Sequence, residues 1–258
     1  MLHYLKISGA MKKCPMAVKT DISKAYDRLE WTFIRTVLER LGFCSTWVLW
    51  MMQCITTVSY SFLLNDEVVG RVIPERGIRQ GDPLSPYIFI ICGEVLSGLC
   101  KKAQDSGQLP GLRIARNSPK INHLLFANDT MFFTNSDSHS CSSLVDILQK
   151  YESASGQMIN VLKSSISFSW KTPAETRQRV KQTLGIEKEG GVGKYLGLPE
   201  HFGRRKKYLF SSIVDIMHQK SISWSTRFLS TAGKATMLQS VLSPIQNFAM
   251  TCFLLPKS

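Results

Sequence analysis

Asp21 closes an apolar run, Met16 to Ile22, and Asp129 stands beside Asn128 between two further apolar runs, His123 to Ala127 and Thr130 to Thr134. Runs of this length and composition predict strands, and Asn128-Asp129 tolerates the tight turn that makes the second and third a hairpin. Both carboxylates then fall at the rim of one sheet. Hard divalent cations take oxygen ligands on rigid supports, and carboxylates delivered by separate strands are the usual construction of a two-metal phosphoryl-transfer site. Taken alone, each residue has a plainer reading, because an aspartate at a strand end or turn is far more often a turn former than a ligand.

The elements that must hold these residues alternate in type. Trp31 to Leu41 has helical spacing in Phe33, Ile34, Val37, Leu38 and Leu41, with Gly42 as its stop; Ser45 caps a second helix through Thr56. Tyr60 to Leu64 and Val68 to Ile73 flank Asn65, Asp66 and Glu67 as a hairpin. Asp82-Pro83, with Asp as N-cap and Pro at the first helical position, opens a long apolar helix to Lys102. Helices follow at about 140 to 153, 173 to 184, 205 to 219 and 231 to 242, separated by strand-like Ile166 to Trp170 and Tyr195 to Leu198. The predicted class is α+β.

Several segments, in order and spacing, carry a resemblance. Val18-Lys19-Thr20-Asp21-Ile22-Ser23-Lys24-Ala25-Tyr26-Asp27-Arg28, Arg76-Gly77-Ile78-Arg79-Gln80-Gly81-Asp82-Pro83-Leu84-Ser85-Pro86, and His123-Leu124-Leu125-Phe126-Ala127-Asn128-Asp129 are followed by Ser155-Gly156-Gln157-Met158-Ile159-Asn160 with Lys163-Ser164, and by Lys194-Tyr195-Leu196-Gly197-Leu198-Pro199. Together they resemble the reverse transcriptase of plant LINE-type (non-LTR) retrotransposons, an RNA-directed DNA polymerase. Trp224, Leu229-Ser230, Ala232-Gly233-Lys234 and Phe253-Leu254-Leu255-Pro256 are similar to the same family's thumb.

The resemblance implies a right-hand polymerase fold: a palm with partial fingers over residues 1–200, its antiparallel sheet packed on helices, and a basic helical thumb over 201–258. Asp21 and Asp129 correspond to catalytic aspartates holding two Mg²⁺ ions, with Mn²⁺ as a substitute, and the Ile22 carbonyl completes the coordination. Tyr26 matches the aromatic steric gate that clashes with a 2′-hydroxyl; a core aromatic is its other reading. Gln80 and Gly81 match the segment beside the nascent base pair, Gly81 permitting close backbone approach. Lys163 falls where the family places a lysine near the leaving pyrophosphate, or is an exposed lysine. Tyr195, Leu196 and Gly197 match the primer grip. The implied partners are an RNA template, a DNA primer and deoxynucleoside triphosphates, with the nucleus as the place of action.

Two departures from the family bear on activity. Its hairpin reads Phe-Ala-Asp-Asp, whereas Asn128 here puts an amide in place of the first paired aspartate. An amide oxygen touches a cation without bringing charge, leaving two carboxylates for two divalent ions. Metal charge stabilisation is worth several kcal/mol and each ~1.36 kcal/mol is tenfold in rate, so a loss of orders of magnitude is predicted. Only twenty residues precede Asp21, which implies that most of the fingers, with their basic phosphate contacts, are missing; the family's endonuclease, and any RNase H, are likewise not encoded.

Composition agrees with a nucleic-acid partner. The 258 residues carry 32 Lys plus Arg against 19 Asp plus Glu, a net charge of +13. Residues 1–158 hold 17 basic and 14 acidic side chains and residues 159–258 hold 15 and 5, so +3 and +10 divide the charge unequally. Arg204, Arg205, Lys206 and Lys207, with Arg227 and Lys234, are the candidates for primer-template phosphates. Four successive cations at a helix start oppose its dipole, which favours a bound polyanion over a merely solvated face. The seven cysteines form no C-x-x-C pair and read as reduced core thiols. Apolar runs are too short to span a bilayer.

Other function classes fit less well. Gly193-Lys194 suggests a phosphate loop, but Tyr195 replaces the needed Ser or Thr and Lys188 stands where Gly is required. No histidine lies in a partner motif for a cysteine nucleophile. A non-catalytic nucleic-acid-binding remnant and a degraded retroelement fragment are the alternatives to a working polymerase.

Overall fold

Alternation along β1 (Pro15–Ser23) decides how the sheet is built. Met16, Val18, Thr20 and Ile22 project to one side and are buried, while Lys19, Asp21 and Ser23 on the other keep partial access to solvent. A computed structural model of the chain describes residues 2, 5, 14–190, 194–195, 198–199, 207–223 and 229–252. After β1 come α1 (Trp31–Arg40), α2 (Ser45–Thr56), β2 (Tyr60–Leu64), β3 (Glu67–Val72), α3 (Ser85–Asp105), β4 (His123–Phe126), β5 (Asp129–Asn135), α4 (Ser138–Ser155), β6 (Met158–Ile159), β7 (Ser165–Phe168) and α5 (Ala174–Leu184).

β1 is the central strand of an antiparallel sheet. β5 runs along one edge from Pro15↔Asn135 to Asp21↔Asp129, and β4 pairs with β5 beyond it. The other edge of β1 is shared, β7 taking Met16 to Lys19 and β6 taking Ile22 and Ser23. Between these two pairings, opposite Asp21, the ladder gives way to the turn at Asn160–Ser164.

Helices cover the apolar side of β1. Phe33, Ile34, Val37 and Leu38 of α1, Phe89, Cys92 and Leu96 of α3, and Leu144 and Ile147 of α4 form one core with Met16, Val18, Ile22, Phe132 and Ile166. Fully burying each such side chain stabilises by about 1.5–3 kcal/mol. Gly42, at φ 88, follows the end of α1.

Several boundaries differ from the sequence reading. α3 begins at Ser85, not at Asp82-Pro83. Asp82 Oδ1 accepts the Leu84 N–H at 2.7 Å, so it caps a turn ahead of the helix, and Pro86 takes the first-turn position. Cys44 rather than Ser45 occupies the N-cap of α2. The hairpin of β4 and β5 turns one residue earlier than its asparagine and aspartate suggest: Phe126 pairs with Asp129, which makes Ala127-Asn128 the turn and Asp129 the first residue of β5. Pairing of Asp129 with Asp21 in β1 fixes that register over local turn preference.

The chain divides into two compact units, His3–Gly190 and Gly191–Ser258. In the second, β8 (Lys194–Tyr195) and β9 (Leu198–Pro199) pair with each other, so Tyr195 to Leu198 is not one strand. α6 (Lys207–Ser223) is followed by α7 (Thr231–Met237), which continues through a π-helical turn (Leu238–Leu242) into α8 (Ser243–Cys252). α6 packs on α8 and on the π-helical turn. Ser230 caps α7, its Oγ accepting the Gly233 N–H at 3.2 Å.

Candidate active site

Facing register positions of adjacent antiparallel strands put their side chains on the same side of a sheet, roughly 5 Å apart at Cβ. Asp21 and Asp129 are such a pair. Lys19, two residues before Asp21, lies on that same side by the period of the strand, and its Nζ stands 3.6 Å from Asp129 Oδ1.

Asp21 is held through its backbone. Its N–H donates to Ser164 Oγ at 3.3 Å and its C=O accepts the Asn160 N–H at 2.8 Å. The Ser164 hydroxyl donates in turn to the Asn160 C=O at 2.7 Å, and Asn160 Oδ1 accepts the Lys163 N–H at 3.2 Å. This turn closes the gap between β6 and β7 where a continuous strand would otherwise run. It also brings Lys163 to the site.

A cleft of about 920 Å³ opens beside the pair, lined by Asp21, Ile22, Lys24, Tyr26, Gln80, Gly81, Asn128, Asn160 and Lys163 among others. Seven residues singled out from the sequence therefore meet in one place, although they come from four separate segments. Asn128 is exposed on the two-residue turn, next to Ala127 at φ 49. Asp129 is half-buried at the start of β5, its carboxylate turned to Lys19.

Tyr26 is at once a packed aromatic and part of the cleft wall. Its ring stacks on Phe89 of α3, centroids 5.0 Å apart and planes 5° from parallel, while the residue also forms cleft wall. Such a pair adds about 1 kcal/mol beyond its buried area. The segment from Arg76 to Gly81 is docked against the Tyr26 loop by the Gly77 N–H to the Leu29 C=O at 2.8 Å, the Ile78 N–H to the Tyr26 C=O at 2.9 Å, and the Trp31 indole N–H to the Gly77 C=O at 2.7 Å. Gly77 has φ 84, and a Cβ there would stand 2.7 Å from the Asp27 carbonyl oxygen, so both conformation and space demand glycine. At Gly81 the space is open. Its glycine is required by φ 87, and no protein backbone crowds it.

His123 anchors the hairpin from behind. Asn122 Nδ2 donates to the Cys100 C=O at 2.6 Å, which leaves Oδ1 to accept from His123 Nδ1 at 2.6 Å; Nε2 then accepts the Ser97 hydroxyl at 2.9 Å. Burial, followed by the nearby Lys101, lowers the imidazole's pKa, in keeping with a neutral ring.

Sequence reasoning missed Lys19, Lys24 and the clamp made by Ser164. A lysine two places before a strand-end aspartate is a readable signal for the first, because period 2 alone puts them on one side. Lys24 is exposed in the left-handed region at φ 48, which no spacing announces. The primer-grip and basic-run candidates belong to the other unit. Tyr195 is in β8 and Lys207 opens α6, whereas Leu196, Gly197, Arg204, Arg205 and Lys206 lie outside the described residues, as does Arg227.

Residues 3–200 match the family model of the reverse transcriptase (RNA-dependent DNA polymerase), 198 of 258 residues. The chain belongs to the reverse transcriptase family. By family it is an RNA-directed DNA polymerase, and the retrotransposon resemblance of its motifs agrees with its relatives. It is 25% identical over 204 residues to the retrovirus-related Pol polyprotein of the type-1 retrotransposable element R2 from Popillia japonica, covering 76% of this chain and 32% of that protein. It is 65% identical over 69 residues to an uncharacterized mitochondrial protein of Arabidopsis thaliana, 27% of this chain and 57% of the relative. The chain thus spans about a third and somewhat over half the length of these two relatives. Telomerase from Candida albicans, solved with a fragment of telomeric RNA, shares the fold at a TM-score of 0.50 and 14% identity, over 97% of this chain and 42% of that one. The mixed helical and antiparallel architecture is accordingly that of a polymerase palm and thumb. No helix among the described residues is long and apolar enough to cross a membrane.

Reverse transcriptases use divalent metal. Among the described residues no cluster of three or more acidic, histidine or cysteine side chains gathers; Asp82 also lines the cleft, one of its oxygens taken by the Leu84 N–H, and the carboxylates at facing positions beside it are those of Asp21 and Asp129, joined by neutral oxygens. Their hardness and their facing positions fit Mg²⁺ or Mn²⁺, at a lower charge than three carboxylates give.

Proposed function

We propose that this reverse transcriptase domain joins a deoxynucleotide to a primer 3′-hydroxyl under direction of an RNA template, at the cleft beside Asp21 and Asp129, and that Asn128 slows the reaction by orders of magnitude. The observation that carries the reading is the pairing of Asp21 with Asp129 at the mouth of a cleft walled by Tyr26, Gln80, Gly81 and Lys163. Asp21 and Asp129, with the Ile22 carbonyl and the Asn128 amide oxygen, would hold the divalent ions. When bound, those ions supply charge for the attacking and leaving oxygens of an in-line displacement.

The chain's own groups do the positioning. Tyr26, braced by Phe89, presents a wall to the sugar 2′-carbon and leaves no room for a hydroxyl there. Gln80 and the open backbone of Gly81 lie beside the new base pair. Lys163, carried by the turn that fixes Asp21, offers its ammonium to the departing pyrophosphate, and exposed Lys24 adds a second cation at the same cleft. Arg204 to Lys207 bind primer-template phosphates, within residues 159–258, whose net charge is +10.

A non-catalytic nucleic-acid-binding remnant is the second reading, and Asn128 favours it. Primer extension on a homopolymer RNA template, with Mg²⁺ and separately Mn²⁺, compares the parent chain with Asn128→Asp and Asp21→Ala. Restored synthesis in Asn128→Asp and none in Asp21→Ala is the expected result. Equal rates for the parent and Asn128→Asp overturn the impairment. Salt-dependent primer-template binding without synthesis in any variant selects the remnant.

A further inference from the structure

The geometry points to Lys19 as a tethered counter-cation of Asp129, one that a divalent ion must displace before Asp21 and Asp129 can share it. The inference rests on the reading of those two aspartates as metal ligands. Two carboxylates at facing positions of neighbouring strands repel one another unless a cation stands between or beside them. Here a cation is built into the same strand: Lys19 Nζ is 3.6 Å from Asp129 Oδ1, and the pair is half-buried, with side-chain exposures of 21% and 27%. Lys19 and Asp21 flank Thr20, so the strand's pleat holds the ammonium on the ligands' side of the sheet.

The consequence for metal is a competition. An ammonium neutralises one carboxylate and offers donors only, whereas a divalent ion needs that carboxylate's lone pairs. With Asn128 neutral, Asp21, Asp129 and Lys19 sum to a single negative charge, so the lysine weighs more heavily than it would beside three carboxylates. Lys19 therefore stabilises the hairpin–strand junction while the ligands are bare, and it lowers their affinity for the ion. It acts through Asp129 and is a positioning residue, not a ligand.

Mn²⁺ binding to the full chain, followed by the electron paramagnetic resonance of free Mn²⁺, tests this without any turnover. Lys19→Met is expected to bind Mn²⁺ about fivefold more tightly than the parent, the range of a partly exposed ion pair. Lys19→Arg keeps the parent affinity, and in an Asp129→Asn background Lys19→Met has no effect. Lys19→Gln replaces Lys19→Met if circular dichroism shows the latter unfolded. Unchanged or weaker binding in the Lys19 variants, while Asp21→Asn still weakens it, overturns the counter-cation and leaves the ligand reading intact. Parent-like binding in both Asp21→Asn and Asp129→Asn overturns the ligand reading and the counter-cation with it.

Discussion

The backbone N–H of Asp21 donates to the side chain of Ser164, a residue 143 positions later and fully buried. The Ser164 hydroxyl thereby ties the turn between β6 and β7 to the aspartate of β1. Ser164→Ala leaves that N–H without its partner, whereas the Asn160 carbonyl keeps the Lys163 and Ser164 N–H groups. The expected cost is about 1–3 kcal/mol of stability, read from urea denaturation. In an Asn128→Asp background the same change lowers primer extension, because the carboxylate loses its fixed support.

Gly77→Ala meets a harder obstacle. The new methyl must share space with the Asp27 carbonyl oxygen, 2.7 Å away, at a φ that alanine adopts poorly. A loss of more than about 2 kcal/mol is expected from the combined clash and strain. Trp31→Phe, which removes only the indole N–H to the Gly77 C=O, loses about 1 kcal/mol. Equal midpoints for these two variants in urea would contradict the docking described between the Arg76–Gly81 segment and the Tyr26 loop.

Tyr26 separates sugar selection from stability. Tyr26→Phe keeps the ring and its stack on Phe89, so the melting temperature and the preference for deoxynucleotides both persist. Tyr26→Ala opens the wall, and incorporation of ribonucleotides relative to deoxynucleotides rises about tenfold or more in the Asn128→Asp background. Competitive primer extension with Mn²⁺ measures the ratio.

Burial pushes the Cys92 and Cys100 thiols of α3 from 9.0 up to about 12. The folded state therefore holds these protons more tightly than the unfolded chain. Their contribution is complete below pH 9 and is lost as pH rises from 9 towards 12. Melting temperature falls across that interval, and a Cys92→Ala, Cys100→Ala variant shows a shallower fall. Alkylation at pH 8 labels the exposed Cys44 and Cys54 well before the buried pair.

Much of this architecture was legible because hydrophobic period and breaker residues agreed. The stripe Phe33, Ile34, Val37 and Leu38 gave α1, and Asn65-Asp66, both left-handed in the structure, gave the turn of β2 and β3. Where the reading slipped, a long-range constraint outweighed a local preference. Asn128-Asp129 is the better turn dipeptide, yet pairing with β1 draws Asp129 into the strand and leaves the turn to Ala127 and Asn128. Asp82 is a good helix cap by type, yet its side chain closes the turn before α3. At the site, Asp21, Tyr26 and Gln80 were found through ordered motifs. The Lys19–Asp129 contact was not, because it depends on a register between residues 110 positions apart.

Asn128 occupies an exposed turn whose register is set by Asp129, Phe126 and Asp21, not by its own side chain. Asparagine and aspartate are close in size, and their codons differ by one base. Selection for a folded, persistent protein is therefore almost blind to which of the two stands there. Copies of such a gene can drift between amide and acid at this position without passing through a misfolded intermediate, and only selection on DNA synthesis itself would hold the acid in place.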